Sequence, residues 1–263
     1  DTTNLITKNN LDKRVGLPVN KDELHELSSA INELLQRIEN ALKRERQFTS
    51  DASHELRTPL ASLRGTLEVL IRKPRTQAEY EEKIRYGLTE IDRMTATVEQ
   101  LLHLARIDST DPKSNTKQVS LAELIRKILH RHTQEIEAKK LRLDFKTINA
   151  DDVFVPEYYA NLILENIINN AIKYSRGNTP LRIALEKTND RTCCVVQDQG
   201  IGIRPEELEN IFQPFYRSDA LDHKQITGNG LGLPIAKKAA EAIFATISIE
   251  SEVTKGTKIT VAF

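Results

Sequence analysis

The chain has 263 residues, 39% apolar and 29% charged, with 38 basic and 38 acidic side chains and a formal net charge of zero. That length allows one large domain or two smaller ones, and the composition is polar for a single globule but ordinary for long helices joined to a globular domain. Balanced charge and the absence of Trp leave neither a basic field nor an aromatic base-stacking surface, which argues against nucleic acid as a partner. The adjacent Cys193 and Cys194 lie in an apolar run and read as reduced core residues, because neighbouring cysteines rarely pair and no further Cys or His cluster completes a metal site. No apolar run approaches the roughly 18 residues of a membrane helix, and no secretory leader is visible. The chain begins at Asp1 rather than Met, so a membrane part preceding it is expected to be missing.

Residues 1–20 are polar and end in Gly-Leu-Pro-Val, which cannot continue a helix. From Asp22 a heptad takes over. Leu24, Leu27, Ile31, Leu34, Ile38 and Ala41 alternate spacings of three and four, the seam of a coiled coil, and the seam continues through Glu45, Phe48 and Ala52. A seam of this kind needs a partner, most economically the same helix of a second subunit.

The helix then enters FTSDASHELRTPL (48–60), which places the imidazole of His54 beside the carboxylate of Glu55. Neighbouring helical residues are about 100° apart, so Glu55 reaches the edge of the ring rather than its face. Pro59, four residues after Glu55, donates no backbone hydrogen bond and crowds the carbonyl four back, which predicts a bend or a freed carbonyl beside His54. By itself this pattern also suits a solvated histidine on a helix face.

Beyond Pro59 the apolar period resumes to Ile71, and Lys73-Pro74-Arg75 predicts a turn. A second amphipathic helix follows, with Ile84, Leu88, Ile91, Val98, Leu102 and Ala105 on one face. Two such helices make an antiparallel hairpin, and two hairpins make a four-helix bundle. The polar segment 108–117 reads as an interdomain linker. From Val119 the elements alternate: helix 121–138, strands 141–146 and 152–155, helix 156–174, strands 181–187 and 192–197, helix 231–243, and strands 246–250 and 257–263. This pattern predicts an α+β sandwich with helices on one face of a mixed sheet.

Three features of this second half suggest a nucleotide pocket. Asn166 and Asn170 share a helical face with Lys173 a further three along, a stripe suited to an oxygen-ligated divalent cation and a polyphosphate. A solvated Asn-rich helix face is the alternative. Asp198-Gln199-Gly200-Ile201-Gly202 follows an apolar strand, where an acid can accept from an exocyclic amine and glycines admit a ring close to the backbone. Gly228-Asn229-Gly230-Leu231-Gly232-Leu233 opens a helix, whose N-terminal amides form an anion site. Its spacing matches neither a dinucleotide fingerprint nor a P-loop.

The order of these motifs resembles the sensor histidine kinases of two-component systems. FTSDASHELRTPL resembles that family's H box, ENIINNAIKYS (165–175) its N box, DQGIGI (198–203) its first glycine box, IFQPFYR (211–217) its F box, GNGLGL (228–233) its second glycine box, and Lys255-Gly256-Thr257 its terminal glycine motif. Residues 11–35, with the pair Asp22-Glu23, resemble the second half of a HAMP relay module. The resemblance implies a dimeric all-α hairpin forming a four-helix bundle, followed by an α+β ATP-binding domain of the GHKL (Bergerat) type. The implied boundaries are 1–41 for the partial HAMP module and coiled coil, 42–109 for the dimerisation and phosphotransfer hairpin, 110–118 for the linker and 119–263 for the catalytic domain.

It further implies ATP and Mg²⁺ as cofactors, a homodimer, and the receiver domain of a response regulator as partner, in the cytoplasmic portion of a protein of the cell (inner) membrane. His54 would accept the phosphoryl group and Glu55 would draw the proton from its other nitrogen. Thr58 matches the position that places a water for dephosphorylating the regulator. Asn166 and Asn170 would hold Mg²⁺, Lys173 a phosphate, and Tyr174 the nucleoside side. Asp198 would read the adenine amine, with Gly200 and Gly202 near the base. Gly228, Gly230, Leu231 and Gly232 would shape the phosphate end and lid, and Arg217 would stabilise the transferring phosphoryl. Pro234 departs from the small residue more usual after the second glycine box. The lid between Arg217 and Gly228 is expected to be mobile, with His223 solvated. His25, His103, His130 and His132 are expected on helix surfaces. An ATPase of the chaperone or topoisomerase kind is disfavoured by the H box, and a degenerate scaffold by the presence of His54, Asn170, Asp198 and the box glycines.

Overall fold

The computed structural model describes residues 13–19, 23–109, 117–150, 152–188, 191–218 and 228–263. The expectations for most of the linker, most of the lid and His223 lie outside them. The chain divides into two compact units, Asp1–Ala61 and Ser62–Phe263.

The first unit is built on helix α1 (Glu23–Ile71), which starts where the heptad starts and carries Pro59 in its interior. The helix continues through it. Thr58 Oγ1 donates to the His54 carbonyl at 3.1 Å, an i−4 bond one residue before the amide that proline lacks. The seam residues Leu24, Leu27, Leu34 and Ile38 are each at least 40% exposed in the single chain. Residues 13–18 run along the start of the helix, where Asn32 pairs with both backbone groups of Val15 at 2.8 and 2.9 Å. Arg14 reaches Gln36 and Glu39 at 2.5 and 2.6 Å, and its bond, with that of Lys43, holds the Glu39 carboxyl below the usual range.

In the second unit α2 (Gln77–Ser109) follows a short turn. Thr76 and Glu79 cap it reciprocally: the Thr76 amide donates to Glu79 Oε2 at 2.9 Å and the Glu79 amide to Thr76 Oγ1 at 3.3 Å, the two halves of a capping box. The returning segment of α1 lies against α2. Ser62 bonds Tyr86 at 2.8 Å, and Gly87 leaves room for Leu63, whose Cδ1 would stand 3.1 Å from an added Cβ.

The remainder is the expected mixed sheet under helices. The strands β2 (Arg142–Ile148), β4 (Pro180–Lys187), β5 (Thr192–Gln197), β6 (Thr246–Glu252) and β7 (Gly256–Ala262) are ordered β2-β4-β5-β7-β6. β2 and β4 are parallel and the other pairs antiparallel. A parallel pair needs a long crossover, and the helix α5 (Glu157–Tyr174) supplies it. β4 buries Leu181, Ile183 and Leu185 and exposes Arg182 and Glu186, so one face of the sheet is the core face. Against it α5 packs on β5, α6 (Gly232–Ala242) on β6, and α3 (Leu121–Arg131) on α5. Ile163, Leu164, Ile167 and Ile168 of α5 are fully buried, each contributing about 2 kcal/mol of apolar transfer. That leaves only a narrow stripe of α5 for polar work. Cys194 is buried in this core and Cys193 half-exposed, both as free thiols.

Two elements differ from the sequence-based expectation. The helix predicted over 121–138 is two helices, α3 and α4 (Thr133–Ala138), jointed at His132. A three-residue strand β1 (Gln118–Ser120) was not foreseen; it pairs antiparallel with the equally short β3 (Phe154–Pro156), shorter than the predicted 152–155 strand. Strands this short carry too little alternation to be read from sequence.

Candidate functional site

A cavity of about 800 Å³ opens in the second unit, within the size range of small-molecule sites. Its first wall is the polar stripe of α5: Asn166, Asn170, Lys173 and Tyr174 all line it, with Asn169 beside them. The fourfold spacing that suggested a shared face in sequence is a shared face in space. Asn166 Nδ2 donates to the Leu162 carbonyl at 2.7 Å, which commits the amide's donor side to the helix and leaves Oδ1 as the acceptor turned outward. That oxygen lies where a Cβ on Gly232 would approach to 2.9 Å.

Asp198, at the end of β5, forms the second wall and is 6% exposed. Its Oδ1 accepts from the amides of Gly200 at 2.8 Å and Thr257 at 3.2 Å. Burial pushes the carboxyl up to about 6, against the pull of those two amides. The terminal glycine motif serves this arrangement. Gly256 has φ +113°, and a Cβ there would stand 2.2 Å from the Asp198 carbonyl.

The second glycine box and the F box supply further lining. Gly228, Gly230 and Gly232 line the cavity at the start of α6. Gly230 has φ +71°, and a Cβ would meet Phe215 and Tyr216 backbone atoms at 2.7 Å, while its carbonyl accepts from the Phe215 amide at 3.1 Å. The F box therefore lies against the second glycine box, and Arg217 enters the cavity wall. Lys173 is pressed against Gly228, where an added Cβ would be 2.2 Å from its Nζ. Its ammonium also lies 5.0 Å from the Tyr174 ring centre. Burial, then the charges of Arg217 and Lys139, bring Lys173 down to about 8. Burial also raises the Tyr174 hydroxyl.

Gly202 belongs to the lining, but Gly200 and Leu231 do not. Gly200 instead lets the loop touch the end of α5: a Cβ would stand 2.3 Å from the Tyr174 carbonyl, and the residue bridges Ser175. Leu231 is fully buried in the core. Pro234 lines the cavity from the first turn of α6, where its missing amide proton costs nothing.

His54, Glu55 and Thr58 belong to the first unit. They lie on consecutive turns of α1, with His54 and Thr58 exposed and Glu55 half-exposed. His25 and His103 lie half-exposed on α1 and α2 and His130 exposed on α3, as expected, whereas His132 stands at the joint between α3 and α4. His132 Nε2 meets Glu165 Oε1 at 2.7 Å, and that bond raises the imidazole's pKa above its usual value. Burial pushes the Glu165 carboxyl up, but His132 and Arg131 together outweigh it and leave it below the usual range. His103 of α2 bonds the Tyr158 hydroxyl at 3.1 Å, and His25 the Pro18 carbonyl at 2.9 Å.

Sequence reasoning also missed Lys139, whose Nζ lies among the last carbonyls of α5. It missed Gln100 too, which brings α2 to the cavity and accepts from Asn229 Nδ2 at 2.6 Å. Only the apolar period of α2 was available beforehand, and it does not select a polar residue on the flank.

Residues 159–263 match the family model for the histidine kinase-, DNA gyrase B- and HSP90-like ATPases, and residues 44–110 match the His kinase A (phospho-acceptor) domain. The chain belongs to the sensor histidine kinases. The two models fall in the order the motifs require, with His54 inside the first match and the whole cavity-lining stripe of α5 inside the second. Among curated relatives of this histidine kinase, the signal transduction histidine-protein kinase ArlS of Staphylococcus aureus (strain USA300) is 33% identical over 259 residues, covering 98% of the chain. The chain spans 57% of that relative's length. Two solved structures share the fold. The Acinetobacter baumannii histidine kinase AdeS has a TM-score of 0.64 at 22% identity, covering 80% of this chain and 96% of its own. The histidine kinase ThkA in complex with the response regulator protein TrrA has a TM-score of 0.65 at 20% identity, covering 92% and 67%. The fold class inferred from sequence, a helical hairpin followed by a GHKL ATPase domain, is the one found.

Proposed function

We propose that this chain is an ATP-dependent autokinase that phosphorylates His54 and passes the phosphoryl group to an aspartate on a response regulator. The observation that carries the reading is the cavity itself. Its polar amides, a buried acid and a glycine loop with an adjacent lysine converge in a chain whose other family match contains an exposed histidine with a neighbouring acid.

In this reading Asp198 accepts the exocyclic amine of adenine, Tyr174 flanks the nucleoside, and Lys173 and the loop 228–232 hold the phosphates. Gly202 admits the base close to the backbone, and Arg217 meets the charge of the transferring γ-phosphoryl. Asn166 and Asn170 suit a hard cation with oxygen ligands, and the committed donor side of Asn166 fits that use. Mg²⁺ there would neutralise phosphate charge. The amide oxygens, the substrate's own phosphates and water would serve as its ligands.

His54 attacks the γ-phosphorus in line, its N–P bond forming as the bond to the β-phosphate oxygen of ADP breaks, while Glu55 takes the proton of the other ring nitrogen. Thr58 positions a water for removing phosphate from the regulator. The domain boundaries are those the motifs imply: 1–41, 42–109, 110–118 and 119–263. The HAMP-like segment relays a signal to a homodimeric hairpin, and the whole protein is anchored in the cell membrane by parts outside this chain. Among the described residues no helix is long and apolar enough to cross a membrane.

Incubation with γ-labelled ATP and Mg²⁺ tests the reading. Acid-labile, alkali-stable label is expected on the protein and none on His54→Ala. Label that survives this substitution would remove His54 from its role.

A further inference from the structure

We propose that Lys139 is a positioning residue for the nucleotide site: its ammonium ties off the C-terminal turn of α5 and so sets where Lys173 and Tyr174 stand. The inference rests on the nucleotide reading of the cavity.

A helix leaves its last carbonyls without intrahelical donors, and α5 ends at the residues that line the cavity. The Ala171 carbonyl is taken by the Ser175 amide at 3.1 Å and the Ser175 hydroxyl at 2.6 Å. The next carbonyls depend on Lys139, which comes from the end of α4, far away in the chain. Its Nζ donates to the carbonyls of Ile172 at 2.9 Å, Lys173 at 2.5 Å and Ser175 at 3.2 Å. A cation at a helix C-terminus is also favoured by the helix dipole.

Lys139 lines the cavity, so direct contact with a ligand is the competing role. An ammonium has three donors, and all three face backbone carbonyls. Burial lowers its pKa, in keeping with a group turned to the protein. The lysine is itself held in place. Its amide donates to the Glu135 carbonyl at 3.1 Å and its carbonyl accepts from Asn178 at 2.9 Å. The turn leaving α5 is therefore stitched to this one residue through both backbone and side chain. With the ammonium removed, the final turn of α5 is free to fray, and Lys173 and Tyr174 lie on it.

The test is calorimetric titration of the chain with AMPPNP and Mg²⁺ at pH 7, alongside far-UV circular dichroism. Lys139→Met is expected to bind about tenfold more weakly or worse. Lys139→Arg, which restores a cation with several donors, is expected within about threefold of wild type. If wild type does not bind AMPPNP, the nucleotide reading fails, whatever Lys139 does. If wild type binds and the folded Met variant binds equally well, the positioning role is overturned. It is overturned too if a folded Arg variant loses as much as Met, because a cation with several donors at the helix end would then not restore the site. Should Lys139→Met fail to fold, Lys139→Gln takes its place with the same thresholds.

Discussion

Two titrating groups in the cavity wall bracket its working range. Asp198, raised to about 6 by burial, must be ionised to accept an amine. Lys173, lowered to about 8 by burial and its cationic neighbours, must be protonated to hold a phosphate. Nucleotide affinity is therefore expected to fall below about pH 6 and above about pH 8, by at most tenfold per unit on each side. Titration of AMPPNP binding across pH checks this: Asp198→Asn should remove the acid limb and Lys173→Met the alkaline one, each at lower affinity. The unliganded protein carries the opposite signs. A carboxyl raised in the folded state binds its proton more tightly there, so stability declines as pH rises from about 4 to about 6. An amine lowered to about 8 relieves its burial cost as pH rises from there toward about 10. The glycine loop makes a separate prediction. At Gly230 a Cβ is strained by the positive φ, at about 1–2 kcal/mol, and would also collide with the backbone of the F box. Gly230→Ala and Asn170→Asp are each expected to abolish labelling while light scattering still reports a dimer.

Helix α1 is a long element with an unpaired apolar seam. Leu24, Leu27, Leu34 and Ile38 stand in water in the single chain, and their three-four spacing is that of a coiled coil. In the proposed homodimer a parallel second copy of α1 would cover them without any new chemistry. Leu27→Glu with Ile38→Glu is expected to shift the protein toward monomer in analytical ultracentrifugation and to leave AMPPNP affinity unchanged; an unaltered sedimentation profile would assign dimerisation to the rest of the hairpin. Pro59 sits inside this element, and the helix runs on through it although proline donates no backbone hydrogen bond.

At the scale of the molecule, the parts legible from sequence are those that demand a residue type from the backbone or from a period. The heptad begins α1 at Glu23, the apolar alternation marks β4 and β5 to within a residue, and each box glycine proves to stand where a side chain would strike backbone or a neighbouring group. The stripe Asn166, Asn170, Lys173 needs only helical geometry to share a face. What sequence did not show was set by contacts between distant segments. Lys139 reaches carbonyls 33 to 36 residues away, His132, at the joint between α3 and α4, meets Glu165 across 33 residues, and Asn229 finds Gln100 across 129. None of these pairs has a local signature, since lysine, histidine and glutamine on a helix look alike in solvent and in a pocket. The family, the order of the domains and most of the residues named around the cavity were legible in the chain, because they follow from local spacing and from motifs. Which of the remaining polar groups hold that cavity in shape emerges in the folded chain, because their partners are chosen by packing rather than by neighbours in the chain.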